Sequence, residues 1–254
     1  EIVAAIEAAL GAGPLAGRRI LLTSGPTHEP IDPVRYIANR SSGAQGTALA
    51  NALRDLGADV AFVTGPADAP RPQGVRVVEV ETARQMLEAV EAALSPVPDA
   101  AIFAAAVADW RVASASDRKL KKTRDGLPSL EFAENPDILK TVAQRIQGRP
   151  PLVIGFAAET DDVIAHAAAK RLRKGCDWIV ANDVSPSTGI MGGAENAVTL
   201  ITEAEPETWP RLTKTETARR LAARIAEALA APRETGPRET DSRETGPRET
   251  GDAA

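Results

Sequence analysis

Two sets of residues in this 254-residue chain have the types and spacing to handle a phosphate-bearing anion. The first set belongs to loops. Gly25 follows a short apolar run, and Ser41-Ser42-Gly43 precedes a stretch with helical spacing. Small residues ahead of a helix leave backbone N–H groups free to face an anion, and the helix dipole adds to the attraction. The second set is made of side chains. Lys119, Lys121 and Lys122 stand close together, and Lys170 and Lys174 are one helical turn apart. Each group concentrates positive charge in a chain whose formal net charge is −5. Carboxylates supply the other half of nucleotide chemistry. Asp109 comes just after an apolar run, within reach of a ribose hydroxyl or a Mg²⁺ ion. Asp137 falls in the first turn of a helix, where it also offsets the dipole. Asn39 carries a side-chain amide able to donate to a developing oxyanion. Spacing alone leaves the plainer readings open: glycines punctuate turns, lysines on helices face solvent, and Asn39 forms a turn.

These residues need elements to position them, and the chain supplies an alternating series. Ile20-Leu21-Leu22-Thr23 reads as a buried strand ending in Ser24-Gly25-Pro26. Leu49, Ala52, Leu53 and Leu56 keep helical spacing, and Gly57 is a natural stop. Further strands are expected at Val60–Val63, Val75–Val80, Ala101–Val107, Leu152–Phe156, Trp178–Val180 and Ala197–Ile201. Helices are expected over Ala83–Leu94, after Asn135 as cap with Pro136 in the first position, and from about Asp161 to Lys174 with Thr160 as cap. The last helix opens on Thr213-Lys214-Thr215-Glu216, a capping box. Strand and helix alternating in this way predict an α/β fold. It should be a doubly wound, mostly parallel, Rossmann-like sheet with helices on both faces, binding ligands at the carboxyl ends of its strands. Residues 1–17 read as a connector helix and linker, 18–231 as the folded domain, and 232–254 as a tail. In the tail Arg-Glu-Thr recurs at 233, 238, 243 and 248 with no apolar face, so it is expected to be disordered.

Composition narrows the function classes. The acidic balance argues against nucleic acid and anionic membranes as partners. Aromatic residues at 3% leave few stacking platforms for single strands. No apolar run approaches the ~20 residues that span a bilayer. The lone Cys176 forms no internal disulfide and fits a reducing compartment, so a soluble, cytoplasmic protein is expected. The chain starts at Glu1 without a methionine, as a fragment would. There is no Gly-x-x-x-x-Gly-Lys-Ser/Thr run for a P-loop, and no Gly-x-Gly-x-x-Gly after the first strand. Tyr36 is followed four residues on by Arg40 rather than the lysine of a short-chain reductase. His28 and His166 are far apart, and with one cysteine they make no zinc site. Trp110, Trp178 and Trp209 are expected to pack rather than bind.

Six blocks carry a resemblance. Thr23-Ser24-Gly25-Pro26-Thr27-His28-Glu29-Pro30-Ile31-Asp32-Pro33-Val34-Arg35-Tyr36-Ile37 runs on to Asn39-Arg40-Ser41-Ser42-Gly43. Ala104-Ala105-Ala106-Val107-Ala108-Asp109-Trp110, Lys119-Leu120-Lys121-Lys122 and Asn135-Pro136-Asp137-Ile138-Leu139 follow. Then come Gly155-Phe156-Ala157-Ala158-Glu159-Thr160 and Ala181-Asn182-Asp183-Val184-Ser185. From about Gly17 to Leu229 the chain resembles the phosphopantothenoylcysteine synthetase family. The resemblance implies a Rossmann-like domain with a small basic flap, acting as a CTP-dependent ligase of coenzyme A biosynthesis. The carboxylate of 4′-phosphopantothenate would attack the α-phosphate of CTP to give an acyl-cytidylate and pyrophosphate. The amino group of L-cysteine would then displace CMP. By the same resemblance Phe103, Ala104, Ala105, Asp109, Asn135, Pro136, Asp137, Ile138, Phe156, Lys170 and Lys174 contact CTP. Lys119 belongs to the flap, Asn39 handles the acyl-cytidylate, and Mg²⁺ is expected at Asp109. It further implies a homodimer, and a flavin-dependent decarboxylase domain ahead of residues 1–10, so no flavin is expected in this part. One departure stands out: the family commonly has a basic residue after Ser-Ser-Gly, and here Ala44 occupies that place. CTP against ATP stays open. So do two other readings, an NAD(P)-dependent oxidoreductase of the same fold class and a non-catalytic dimerisation domain.

Overall fold

The computed structural model describes residues 13–121, 129–185 and 195–230. The expected connector helix of residues 1–10, Lys122 and the Arg-Glu-Thr tail therefore lie outside the described residues. The apolar run Ile20-Leu21-Leu22 forms β1 (Arg19–Ser24), buried at all but its first position, as a strand covered on both faces must be. A hairpin of β2 (Glu29–Asp32) and β3 (Arg35–Ile37) follows. Then α1 (Ala44–Asp55) turns Leu49, Ala52 and Leu53 inward. After β4 (Asp59–Thr64) and β5 (Arg76–Glu79), α2 (Ala83–Ala93) opens on a capping box between Thr82 and Gln85. Next, β6 (Ala100–Phe103) leads to a second hairpin, β7 (Trp110–Val112) and β8 (Phe132–Glu134). The winding continues through α3 (Ile138–Ala143), β9 (Leu152–Glu159), α4 (Val163–Lys174) and β10 (Trp178–Asp183). Short strands β11 (Glu195–Asn196), β12 (Val198–Ile201), β13 (Glu207–Thr208) and β14 (Leu212–Thr213) precede α5 (Lys214–Ala230).

Eight strands form one sheet in the order β13-β12-β10-β9-β6-β1-β4-β5. From β5 to β10 every pairing is parallel, and β12 and β13 extend the sheet antiparallel at the far edge. The chain winds outward from β1 to β4 and β5, then crosses back so that β6 lies on the other side of β1. Neighbours β1 and β6 therefore flank the reversal point where such sheets open a crevice. Side chains alternate between the two faces. Ile20, Leu22, Ile102 and Ile154 pack with Leu49 and Leu53 of α1 and with Leu221 and Ile225 of α5. Leu21, Ala101, Val153 and Ile179 pack with α2, α3 and α4 through Met86, Val90, Val142 and Ala167. The doubly wound, mostly parallel sheet is as expected. No described helix is long and apolar enough to cross a membrane.

Several boundaries differ from the expected ones. β6 ends at Phe103 rather than Val107. Beyond it the chain peels away while still bonding to the β1 end, Ala104 N–H to Thr23 O at 3.1 Å and Ala106 N–H to Gly25 O at 2.8 Å. β9 and β10 run past Phe156 and Val180, to Glu159 and Asp183. The cap of α3 is Asp137, whose carboxylate accepts from Lys140 N–H at 3.0 Å. Asn135 is instead engaged elsewhere, donating its amide to Ala108 O at 2.9 Å. α4 starts after Asp162, which takes a left-handed conformation at φ 40°, not at Asp161, and the Thr160 hydroxyl donates to the Asp161 carboxylate at 2.9 Å. The capping box of α5 forms as predicted: Thr213 Oγ1 accepts from Glu216 N–H at 3.1 Å and Glu216 accepts from Thr213 N–H at 3.0 Å. Trp209 and Cys176 are buried, but Trp110 is 50% exposed and packs only edge-on against Phe132.

Candidate active site

A cleft of about 1530 Å³ opens over the carboxyl ends of β1 and β6. One wall is the loop into α1. Gly43 takes a left-handed conformation at φ 74° and caps α1 without a side chain. Ser41 Oγ accepts from Gly43 N–H at 3.3 Å, and Ser42 Oγ from Ala44 N–H at 3.4 Å. Gly46 sits directly on Ser24: a Cβ there would lie 2.1 Å from Ser24 Oγ. The helix start is thus pressed against the end of β1, and Ser41, Ser42, Gly43 and Ala44 line the cleft. Gly25, with φ 71°, lies behind this wall against Gly65 and Thr64 rather than in the lining.

The facing wall gathers segments that are distant in sequence. Phe103, Ala104 and Ala105 come from the end of β6, Asn135 to Ile138 from the start of α3, and Phe156 from β9. Lys170 and Lys174 reach in from α4. Burial pushes the Lys170 ammonium below the usual lysine range, opposed by Glu159, whose carboxylate is 3.9 Å away. Lys174 pairs with Asp137, the same carboxylate that caps α3. Asp109 lines the cleft with its side chain exposed. Its backbone carbonyl accepts from Asn135 N–H at 2.8 Å, which fixes the turn that presents it. Asn39 lines the cleft and donates its amide to Val107 O at 2.9 Å. The structure therefore brings together Asn39, the Ser-Ser-Gly loop, Asp109, the α3 start, Phe156 and both α4 lysines.

Lys119 is not among them. It is exposed and outside the cleft lining, as is Lys121. Between them, Leu120 is held by both of its backbone groups: its N–H donates to Asp32 Oδ2 at 3.1 Å, and its carbonyl accepts from the Arg35 guanidinium at 3.2 Å. Asp32 is buried. The hydrogen-bonded Arg35 side chain, helped by backbone N–H groups of Val34, Leu120 and Arg35, holds its carboxyl well below the usual carboxylate range.

Other lining residues escaped the sequence reading. His28 and Tyr36 stack at 3.9 Å between ring centroids on the cleft edge. Lys214, Gln45, Asn182 and Asn196 form a polar end wall. The only hint in sequence was Asn182 within Ala181-Asn182-Asp183, because the four residues lie on four separate elements. Among the described residues no group of three or more His, Cys, Asp or Glu side chains is placed to hold a metal. Asp109 nevertheless fits the role of a single carboxylate sharing a Mg²⁺ ion with ligand phosphates, the usual way that ion is held.

The model of the DNA/pantothenate metabolism flavoprotein C-terminal domain family matches residues 15–229. A coenzyme A biosynthesis bifunctional protein of Vibrio cholerae is 42% identical over 217 residues, 84% of this chain and 53% of that protein. The protein of the same name from Mycobacterium tuberculosis is 41% identical over 225 residues, 85% of this chain and 54% of that protein. The chain thus spans about half the length of these relatives. Among solved structures, the crystal structure of the C-terminal domain of a coenzyme A biosynthesis bifunctional protein superposes with a TM-score of 0.70 at 40% identity, covering 85% of this chain and 98% of that one.

Proposed function

The chain belongs to the DNA/pantothenate metabolism flavoprotein C-terminal domain family, and from that membership we propose that it is the ligase part of a coenzyme A biosynthesis protein. It joins 4′-phosphopantothenate to L-cysteine, consuming CTP through an acyl-cytidylate and releasing pyrophosphate and CMP. The observation that carries this reading is convergence. Residues 39–43, 103–109, 135–138, 156, 170 and 174 line one cleft at the reversal point of the sheet, with cations and a helix start on its walls.

The reaction brings a carboxylate to a triphosphate, so like charges must be neutralised and the reactants held in line. Lys170 and Lys174 supply positive charge along one wall, and N–H groups at the start of α1 supply it on the other. Phe156 and the half-buried Ala104 and Ala105 offer an apolar surface for the base and ribose. Asn39, already donating to a carbonyl of the cleft floor, turns its amide to the acyl phosphate oxygen as charge develops there. Lys119, on the segment anchored by Asp32, approaches the phosphates from outside the cleft. Asp109 would hold a Mg²⁺ ion carried in with the triphosphate, and that ion would supply charge neutralisation at the phosphates. The active species is a homodimer, and in the whole protein a flavin-dependent decarboxylase domain precedes this one.

The decisive assay is pyrophosphate release by the purified chain with 4′-phosphopantothenate, CTP and Mg²⁺, with and without L-cysteine, and with ATP in place of CTP. Cysteine-dependent turnover on CTP, lost in Asn39→Ala and Lys119→Ala, is the expected result. A folded sample that releases no pyrophosphate with either nucleotide would sink the ligase reading.

A further inference from the structure

Of the lysines that line the cleft, Lys170 faces Glu159 and Lys174 faces Asp137. Lys214 has no such match: among the described residues it makes no ion pair, and burial alone pushes its ammonium below the usual lysine range. It lines the cleft half-buried from the first position of α5. A partly desolvated cation without a counter-charge is unfavourable unless a ligand provides one.

Its surroundings are neutral amides joined in a chain. Gln45 Nε2 donates to the Lys214 carbonyl at 3.5 Å, Asn196 Nδ2 to Gln45 Oε1 at 2.6 Å, and Asn182 Nδ2 to Asn196 Oδ1 at 3.4 Å. These bonds tie the start of α5 to the first turn of α1, whose leading N–H groups have no partners within the helix. Asn182 Oδ1 ends the chain as a buried acceptor without a hydrogen-bond partner among the described residues. Among the described residues, this end of the cleft thus has a half-buried cation without a counter-charge, a helix start, and a methyl group at Ala44.

Resting on the nucleotide reading above, we propose that Lys214 is the counter-charge for the terminal phosphates of the nucleoside triphosphate. It acts with the first turn of α1, at the end of the cleft where Ala44 brings no charge. Lys170 and Lys174, each beside a carboxylate, serve the rest of the nucleotide.

The test is equilibrium binding of CTP and of CMP to the full chain, each with Mg²⁺, by titration calorimetry. Losing one charge-assisted contact in Lys214→Met should weaken CTP about tenfold or more while CMP, which lacks the terminal phosphates, stays within about twofold. Lys214→Arg should keep most of the affinity for CTP, and adding Ala44→Lys to Lys214→Met should restore part of the loss. If Lys214→Met unfolds, Lys214→Gln replaces it and the same CTP-to-CMP ratio decides. Unchanged CTP binding, or equal losses for CTP and CMP, would overturn the assignment, the second outcome marking Lys214 as merely structural. A wild-type chain that binds neither nucleotide would overturn the nucleotide reading itself, and this inference with it.

Discussion

The central sheet and the two hairpins beside it both hold residues of the proposed site, yet they are built on different physics. In the sheet, Phe103 and Phe156 are placed by strands whose neighbours are buried on both faces, in two apolar clusters that share no side chain. Position there is over-determined, since many weak contacts specify each strand. The hairpins β2–β3 and β7–β8 leave Val34, Tyr36, Trp110 and Phe132 at least half exposed. Among the described residues they are hydrogen-bonded to each other through Ser116 N–H to Ile31 O at 3.0 Å and the carboxylate of Asp32 with its partners Arg35 and Leu120. Many interchangeable contacts hold one region, and a single charged group organises the other. The sheet should therefore lose stability in proportion to what is removed, whereas the hairpins should lose position at one stroke.

The comparison can be broken first at the sheet. Ile154 is fully buried in the middle of β9. Ile154→Ala should cost about 2–5 kcal/mol of unfolding free energy, read by urea titration, while turnover per folded molecule changes little. A large loss of turnover in the folded fraction would show that the sheet tunes the chemistry as well as carrying it. Next comes Asp32→Asn, which keeps the shape and removes the charge. Turnover should fall about tenfold, as for loss of a charge-assisted contact, with the effect on kcat rather than on KM for L-cysteine. The pH dependence sharpens the point. The Asp32 carboxyl titrates lower in the folded chain than in the unfolded one, so its stabilisation is complete above the unfolded value of about 4. It is lost as pH falls through the folded value. The stability gap between wild type and Asp32→Asn should stay flat from about pH 8 to about pH 5 and narrow below about pH 4. A gap that widened in acid would reverse the argument.

Smaller effects follow. Phe132→Ala removes the edge-on contact with Trp110, and should cost about 0.5–1.5 kcal/mol in denaturant titrations. Leu172 is 73% exposed on α4, between the two cleft lysines in sequence but turned away from the lining. Leu172→Ser should shift stability by no more than about 0.5 kcal/mol and leave nucleotide binding intact. A clear loss of binding would mean that the outer side of α4 takes part in the site.

The same contrast explains what was legible in the sequence. Runs such as Ile20-Leu21-Leu22 and Val60–Val63 announce strands because burial on both faces demands unbroken apolarity, and Leu49, Ala52 and Leu53 announce a helix by spacing. The hairpins gave no such signal. Their strands are 4 and 3 residues long in β2 and β3 and 3 residues each in β7 and β8, and Tyr36, Trp110 and Phe132 face outward while Val112 is buried. Cap positions slipped by two residues at Asn135 and Thr160: Asn135 is drawn to Ala108 O and the Thr160 hydroxyl to its neighbour Asp161. Asn39, Asp109 and the two α4 lysines could be singled out one by one from residue type. Their convergence came from the resemblance and the topology, not from spacing. Lys214 was hidden for a plainer reason: within a capping box its side chain has no visible task, and the amides beside it come from residues 45, 182 and 196.

The pairing of the α4 lysines has a consequence for selectivity. Glu159 and Asp137 are tethered competitors, standing beside Lys170 and Lys174 at an effective concentration on the order of millimolar or more. A small anion arriving alone, inorganic phosphate for example, exchanges one neutralised cation for another and gains little. A long ligand that engages this wall, the start of α1 and the far end of the cleft together displaces both carboxylates in a single binding event. On the proposed reading, a cleft so built should reject short fragments of a nucleoside triphosphate by avidity.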